Sequence, residues 1–357
     1  MAETNPTSRS YVSNLHGRLR SLADSNVHQI YNRFLYRASR RLLGTELPVH
    51  VPYHAFYCAM GIEARCNLKC TMCPRNDPNF KEGEMSYEMF TRIMDQLPFL
   101  REVQLAGLGE PFLHKDLFAM IEYSQRRKIR SVVVTNGTLL NQQNIEKIFR
   151  SGLDALHVSI DSADPEVYKS IRVGARLDNV TENLKNLVER RDSEKSKLQI
   201  NVNSILMRRN YHQVEEMIKL CSAVGADSIS FSDMQYTFDV GISRESESLR
   251  RAPEEEKDEM RRLFARADAM AKDLGIQIGL PKLEQPRIRE NCNQPWLYLV
   301  VKETARVRPC CAIHDIEFGD LTEDAYNAIW NNSKFVAFRT RLLSSDVPAE
   351  CKGCTFL

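Results

Sequence analysis

No run in this sequence is apolar over the roughly 18–20 residues that a membrane-spanning helix needs. The opening MAETNPTSRS also lacks the basic start and apolar stretch of a secretory signal. The expectation is therefore a cytoplasmic protein. Charge of one sign is missing too: 49 Lys and Arg face 47 Asp and Glu, a formal net charge of +2. This removes any whole-surface electrostatic case for nucleic acid, and no nucleic-acid partner is expected. Internal repeats and low-complexity tracts are absent. What remains is a composition ordinary for a globular chain of 357 residues, 43% hydrophobic and 27% charged, which suffices for one large domain and a small one.

The abundance that stands out is cysteine, with ten residues. In a long intracellular chain this points to metal or redox chemistry more than to a disulfide scaffold. Cys66, Cys70 and Cys73 form one group, in EARCNLKCTMCPR; Cys292, Cys310, Cys311, Cys351 and Cys354 form another near the C-terminus. Cys58 and Cys221 sit alone in apolar settings and read as small buried hydrophobes.

Short apolar runs alternate with amphipathic helical patterns along the middle of the chain. Strands are expected at 56–64, 102–107, 131–136, 155–161, 198–206 and 227–233, with helices near 86–97, 115–128, 141–151, 178–191 and 211–224. Strand–helix alternation implies βαβ units and a parallel sheet. Six units fit an α/β fold of the partial (β/α)6 TIM-like barrel type; a doubly wound open sheet is the competitor, and periodicity does not separate them. Residues 1–50 read as a helical extension. Its apolar positions Val27, Ile30, Tyr31, Phe34, Leu35, Ala38 and Leu42 follow a helical period, while Arg33, Arg37 and Arg41 line another face. Such a helix either docks its apolar stripe on its own domain or makes peripheral contact with a membrane through residues 27–43. The barrel is assigned to 51–236, a linker and charged helix to 237–290, and a small α+β module of hairpin plus helix to 291–357. Its helix is expected to start at Thr322.

C-x3-C-x2-C after the first strand sets three thiolates around one centre. Zinc favours four ligands and C-x2-C pairs, so it fits this spacing poorly. A [4Fe–4S] cluster on three thiolates keeps one iron open to a small chelating molecule. On these residues the sequence resembles the radical S-adenosylmethionine (SAM) family over roughly 55–357. The resemblance implies that Cys66, Cys70 and Cys73 hold the cluster whose free iron is chelated by SAM. Met72 replaces the family's usual aromatic beside the adenine. In AGLGEP, Gly107 and Gly109 allow close approach of a ligand, and Glu110 matches the residue that receives the SAM amino group, although Leu108 replaces one usual glycine. Thr135 and Asn136 of TNG, and Ser159 and Asp161 of SID, match strand ends that supply polar groups to SAM. Arg172 matches the position that meets its carboxylate. Taken alone, Glu110 would also suit a solvent-facing turn.

Cys292, Cys310, Cys351 and Cys354 suit zinc or a second [4Fe–4S] cluster by spacing. The segment around them resembles the family's SPASM/Twitch extension, which implies one auxiliary [4Fe–4S] cluster with Cys310, or else Cys311, as a ligand. Four thiolates close a cluster and leave it electron transfer.

The implied activity is a 5′-deoxyadenosyl radical that abstracts hydrogen from a small polar substrate. Two-electron oxidation of a sugar or aminocyclitol alcohol is expected, as in the 2-deoxy-scyllo-inosamine dehydrogenase members, with the auxiliary cluster as electron acceptor. Decarboxylation, epimerisation and peptide modification are alternatives on the same scaffold, and a structural metal-binding module without turnover is the non-enzyme alternative. The first 50 residues look too short for a peptide-recognition domain. A flavodoxin- or ferredoxin-type donor is implied; the residue that takes the substrate proton is not identified.

Overall fold

The computed structural model describes residues 26–43, 47–234, 244–284, 292–313, 316–352 and 354. The polar start of the chain and residues 237–243 of the expected loop lie outside them. Ten strands form one sheet: β1 (Tyr57–Gly61), β2 (Glu102–Ala106), β3 (Arg130–Thr135), β4 (Ala155–Ser159), β5 (Gln199–Leu206), β6 (Ser228–Asp233), β7 (Gln277–Gly279), β8 (Tyr298–Val301), β9 (Arg306–Arg308) and β10 (Gly319–Asp320). Their order is β10-β9-β8-β1-β2-β3-β4-β5-β6-β7.

The order settles the topology. From β1 to β7 each strand lies beside its predecessor and runs parallel to it. A doubly wound sheet reverses at a switch point; this one never does. It winds as a partial barrel, with β7 and β10 as its two unjoined edges. All six expected strands are present. β7 was missed because three residues carry too little periodicity to register.

Among the described residues the α-helices of five or more residues are α1 (Val27–Leu43), α2 (Tyr87–Asp95), α3 (Leu117–Arg126), α4 (Gln142–Ser151), α5 (Pro165–Ile171), α6 (Leu177–Ser193), α7 (Val214–Val224), α8 (Glu254–Asp273), α9 (Tyr326–Trp330) and α10 (Ser333–Leu343). Local chemistry sets their ends. Asn141 caps α4 by accepting from Asn144 N at 2.9 Å, and Gly152 closes it at φ 73°. The helices cover the outer face of the sheet. Along β5 the buried residues Ile200, Val202, Ser204 and Leu206 alternate with half-exposed Gln199, Asn201, Asn203 and Ile205, so the second set faces the barrel interior.

Two features differ from the sequence expectation. First, the C-terminal hairpin extends the main sheet: β8 pairs with β1 in parallel, and β9 and β10 follow antiparallel. This module also clamps the chain before β1. Trp296 donates to Pro48 O at 2.7 Å, Trp330 to Tyr53 O at 2.8 Å and Arg339 to Val49 O at 3.3 Å. Its helix starts at Tyr326, not Thr322, because Asp320 Oδ1 accepts from Thr322 N and Oγ1 and folds those residues into a turn.

Second, α1 docks by its polar side. Asn26 and Gln29 exchange capping bonds. Beyond them, Asn26 Nδ2 donates to Pro98 O and Arg127 O, and Gln29 Nε2 to Leu100 O and Lys128 O. Asn32 pairs with the main chain of His54 in both directions. These acceptors precede β1, β2 and β3, so α1 crosses the rim at the N-terminal strand ends. Leu35 and Tyr36 pack inward, but Val27, Ile30, Tyr31, Phe34 and Leu42 are exposed.

Replacing Asn32 by Ala leaves the partly buried His54 main-chain groups without the Asn32 side chain as partner and should cost about 1–3 kcal/mol in chemical denaturation. Val27→Ser, at a 72% exposed site, should change stability by less than about 0.5 kcal/mol.

Candidate active site

The three-thiol loop leaves β1 and returns as the turn Pro74–Asn76. It has no ladder of its own, so neighbours hold it. Lys69 N donates to Val173 O and Thr71 N to Ile171 O, both at 2.9 Å, from the end of α5. Arg75 Nε donates to Ala64 O at 2.7 Å and Asn76 Nδ2 to Cys70 O at 2.8 Å. Helix α5 was not anticipated, although Asp164-Pro165 announces it: Asp164 accepts from Glu166 N and Val167 N, with Pro at the first position.

Cys70 is buried, and Cys66 and Cys73 are partly so. The three thiols lie close enough to interact. Burial pushes Cys70 up to about 11 while nearby Arg172 pulls the other way; Cys73 is raised by the same burial. Thiols in this setting yield their protons readily only to a metal. Leu68 N and Asn136 Nδ2 point at Cys66 Sγ, at 3.4 and 3.7 Å, the kind of N–H···S contact that tunes an iron–sulfur centre.

The end of β2 crosses this loop at close range. Gly109 N donates to Glu63 O at 3.1 Å and Glu110 N to Arg65 O at 2.8 Å. A Cβ on Gly109 would fall 2.6 Å from Glu63 O, and one on Gly107 2.8 Å from the same atom. Both glycines are thus required by the crossing of two main chains. Glu110 does not face solvent; it is 1% exposed. Its carboxylate accepts from Thr135 Oγ1 at 2.7 Å, Asn136 N at 2.8 Å and Phe112 N at 3.2 Å. Three of about four acceptor positions are filled and one is left for a ligand. Burial raises its pKa.

Asn136 Nδ2 reaches Asn67 Oδ1 at 2.9 Å, and Asn67 Nδ2 reaches Thr138 Oγ1 at 2.8 Å. Asn67 and Thr138, which sequence reasoning passed over, therefore lock the TNG turn to the cysteine loop. Arg172 Nε meets Asp161 Oδ2 at 2.6 Å, and Asp161 Oδ1 receives Ile205 N at 2.8 Å. The pair holds the Arg172 charge above its usual range although burial opposes it. Ser159 ends β4 half-buried, and Met72 is 3% exposed within the core.

The second thiol set surrounds the end of the hairpin. Cys292, Cys310 and Cys354 interact electrostatically with one another, and Cys354 N donates to Cys351 O at 3.1 Å. Burial raises Cys292 to about 12 and Cys310 to about 11. Main-chain N–H groups of Ala312 and Ile313 lower Cys310 against that trend, whereas partly buried Cys311 is raised by desolvation and then by the Cys310 and Cys354 thiols beside it.

Comparison with known proteins adds the decisive observation. A model of the radical SAM superfamily matches residues 62–221, and one of an iron–sulfur cluster-binding domain (SPASM) matches 292–355. Residues 62–221 thus form a radical SAM domain and residues 292–355 a SPASM domain. It is 30% identical over 183 residues to the tungsten-containing aldehyde ferredoxin oxidoreductase cofactor-modifying protein of Pyrococcus furiosus, covering 50% of this chain and 51% of that one. It thus spans about half the length of the first curated relatives it matches. Similarity to the antilisterial bacteriocin subtilosin biosynthesis protein AlbA of Bacillus subtilis is lower, 24% over 323 residues, but spans 88% of this chain and 67% of that one. The crystal structure of Streptococcus suis SuiB bound to S-adenosylmethionine shares the fold, with TM-score 0.65 and 16% identity over 84% of this chain and 70% of that one.

The matched family models imply iron–sulfur clusters and SAM as cofactors, and the donors described above fit them. The barrel interior adds a part the motifs did not reveal. Asn201, Asn203, Ser228 and Ser230 line one stretch of β5 and β6, with His157 beside them on β4. Ser228 donates to Asn201 Oδ1 at 2.6 Å, and His157 Nδ1 lies 3.4 Å from Asn203 Nδ2. Burial, with Arg130 assisting, lowers His157 to about 4, so its imidazole is neutral at physiological pH. The alternation in LQINVNSIL carried this signal.

Glu110→Gln places an amide donor against Thr135 and the Asn136 main chain. It should weaken SAM binding at least about tenfold, roughly 1.4 kcal/mol, in equilibrium dialysis, with iron content retained. The folded state refuses a proton at His157 that the unfolded chain accepts below its usual value of 6.5. Stability should therefore fall as pH drops from 6.5 towards about 4, and His157→Gln should flatten that part of the pH–stability curve.

Proposed function

We propose that this radical SAM enzyme oxidises a neutral, hydroxyl-rich small molecule, a sugar or aminocyclitol alcohol. The observation that carries this reading is the interior strip of Asn201, Asn203, Ser228 and Ser230 with neutral His157. Amides and hydroxyls that donate and accept, with no fixed charge among them, match the donor–acceptor pattern of a polyol.

In this reading Cys66, Cys70 and Cys73 hold a [4Fe–4S] cluster. SAM lies against Met72, Gly107, Gly109, Glu110, Thr135, Asn136, Ser159, Asp161 and Arg172. The cluster and SAM together supply a 5′-deoxyadenosyl radical that takes one hydrogen atom from substrate carbon. Glu110 offers its remaining acceptor position to the SAM ammonium. Arg172, fixed by Asp161, offers its guanidinium to the carboxylate. Thr135 and Asn136 keep the Glu110 carboxylate oriented. His157, Asn201 and Asn203 position substrate hydroxyls beneath. Cys292, Cys310, Cys351 and Cys354 would hold an auxiliary [4Fe–4S] centre closed to substrate, which would supply an acceptor for the second electron as the hydroxyl proton passes to solvent; a flavodoxin- or ferredoxin-type protein would supply the electron that reduces the first cluster. Cys310 is preferred to Cys311 because two main-chain N–H groups already serve its sulfur.

Peptide modification is the second reading. It is favoured by the bacteriocin biosynthesis relative, which matches across most of the chain. Anaerobic enzyme with SAM and dithionite separates the two in a panel of sugars, cyclitols, nucleosides and peptides. A cyclitol or sugar should raise 5′-deoxyadenosine release and emerge lighter by two hydrogens. Loss of carbon dioxide or an unchanged mass would indicate decarboxylation or epimerisation instead. Stimulation by peptides alone would overturn the proposal.

A further inference from the structure

Helix α1 is amphipathic, yet it docks by the wrong side for a core helix. Gln29, Asn32 and Ser39 are its buried residues, and Gln29 and Asn32 hold main-chain groups at the N-terminal rim of the barrel. On a step of ~100° per residue, Val27, Tyr31, Phe34, Ala38 and Leu42 fall within an arc of about 80° opposite that contact. Val27 is 72% exposed, Tyr31 60%, Phe34 64% and Leu42 85%, with Ile30 at 38% beside them. One flank of this stripe is basic: Arg37 and Arg41 are exposed, and Arg33 and Arg40 follow around the helix. The helix contains no acidic residue.

We propose that α1 is a membrane-interface helix, whose outer stripe and arginine flank lay the N-terminal rim of the barrel on an anionic phospholipid surface. Among the described residues no helix is long and apolar enough to cross a membrane; the contact is peripheral. Apolar and aromatic side chains enter the headgroup boundary, and arginines on the rim meet lipid phosphates. Charge singles out this occupant. Arg33 Nε and Nη2 are shut from solvent with no hydrogen-bond partner among the described residues. Arg101 and Arg37 stand beside that guanidinium and depress its pKa further than burial alone. The groups left for an anionic surface to neutralise are the exposed Arg37 and Arg41, with no acid on their helix. A second copy of the chain would not neutralise them, since an isologous pair sets one acid-free basic flank against another. Residues 1–25 carry Arg9, Arg18 and Arg20 against Glu3 and Asp24, so they offer no complementary charge either. The cysteine loop lies at the opposite strand ends, and docking in this way leaves the SAM end of the barrel clear of the bilayer.

The test is flotation of the anaerobically prepared full chain with vesicles of phosphatidylcholine alone, or with about a third phosphatidylglycerol. The intact protein should float with the anionic vesicles, and raising salt to about 0.5 M should release most of it. Phe34→Asp combined with Leu42→Asp should lower vesicle affinity at least about tenfold, as should Arg37→Glu with Arg41→Glu, each with unchanged iron content and melting temperature. Absence of flotation by the intact chain overturns the proposal, as does binding that survives both pairs. Concentration-dependent self-association that is abolished by Phe34→Asp with Leu42→Asp would assign the stripe to a second copy. Vesicle binding that appears only after removal of residues 1–25 would assign it to the chain's own N-terminal segment. Either result also overturns it.

Discussion

Apart from the turn Pro74–Asn76 and a single bridge between Glu63 and Glu84, the cysteine loop has no regular structure that could fix it, and every other part of the site depends on how its main chain is held. Two N–H groups, of Lys69 and Thr71, are received by carbonyls at the end of α5. Two of its own carbonyls, Glu63 O and Arg65 O, receive N–H groups from Gly109 and Glu110 at the end of β2. An irregular segment in a protein interior can persist only if its polar groups are paired in this way. The pairing does more than stabilise. The same peptide that binds Arg65 O carries the Glu110 carboxylate, and the same turn that ends α5 carries Arg172. The thiols, Glu110 and Arg172 are therefore spaced by main-chain hydrogen bonds, which resist small displacements better than side-chain contacts do.

Glu110 and Arg172 show how buried charge is kept available. Each is desolvated, and each has one strong local partner set: hydroxyl and amide donors for the carboxylate, and Asp161 for the guanidinium. Neither set uses all the hydrogen-bonding capacity of its charged group. Interior charge is expensive unless it is paired, and incomplete pairing is the arrangement that favours completion by a zwitterionic ligand.

The C-terminal module is coupled to the barrel by backbone. β8 joins β1, the strand that leads directly into the cysteine loop, while Trp296, Trp330 and Arg339 grip the segment before it. The two thiol sets thus belong to one continuous sheet. Relative motion between them is limited by the stiffness of that sheet, which suits electron transfer over a fixed distance. At the far rim, α1 seals strand ends with amides and leaves its apolar side outward, so the two ends of the barrel meet different surroundings.

The sequence alone determined the thiol spacing and the six-fold strand–helix alternation, because these depend on neighbours a few residues apart. It also carried the polar alternation of β5. Tertiary structure decided the rest. Gly107 and Gly109 owe their identity to a crossing main chain more than forty positions away in sequence. The direction in which α1 docks follows from unsatisfied carbonyls at the ends of loops 98–101 and 127–128, which no amphipathic pattern contains. Strands of two or three residues, such as β7 and β10, form because a neighbouring edge offers them partners. Hydrogen bonds between distant segments leave no local signature, and for that reason the site became complete only in three dimensions.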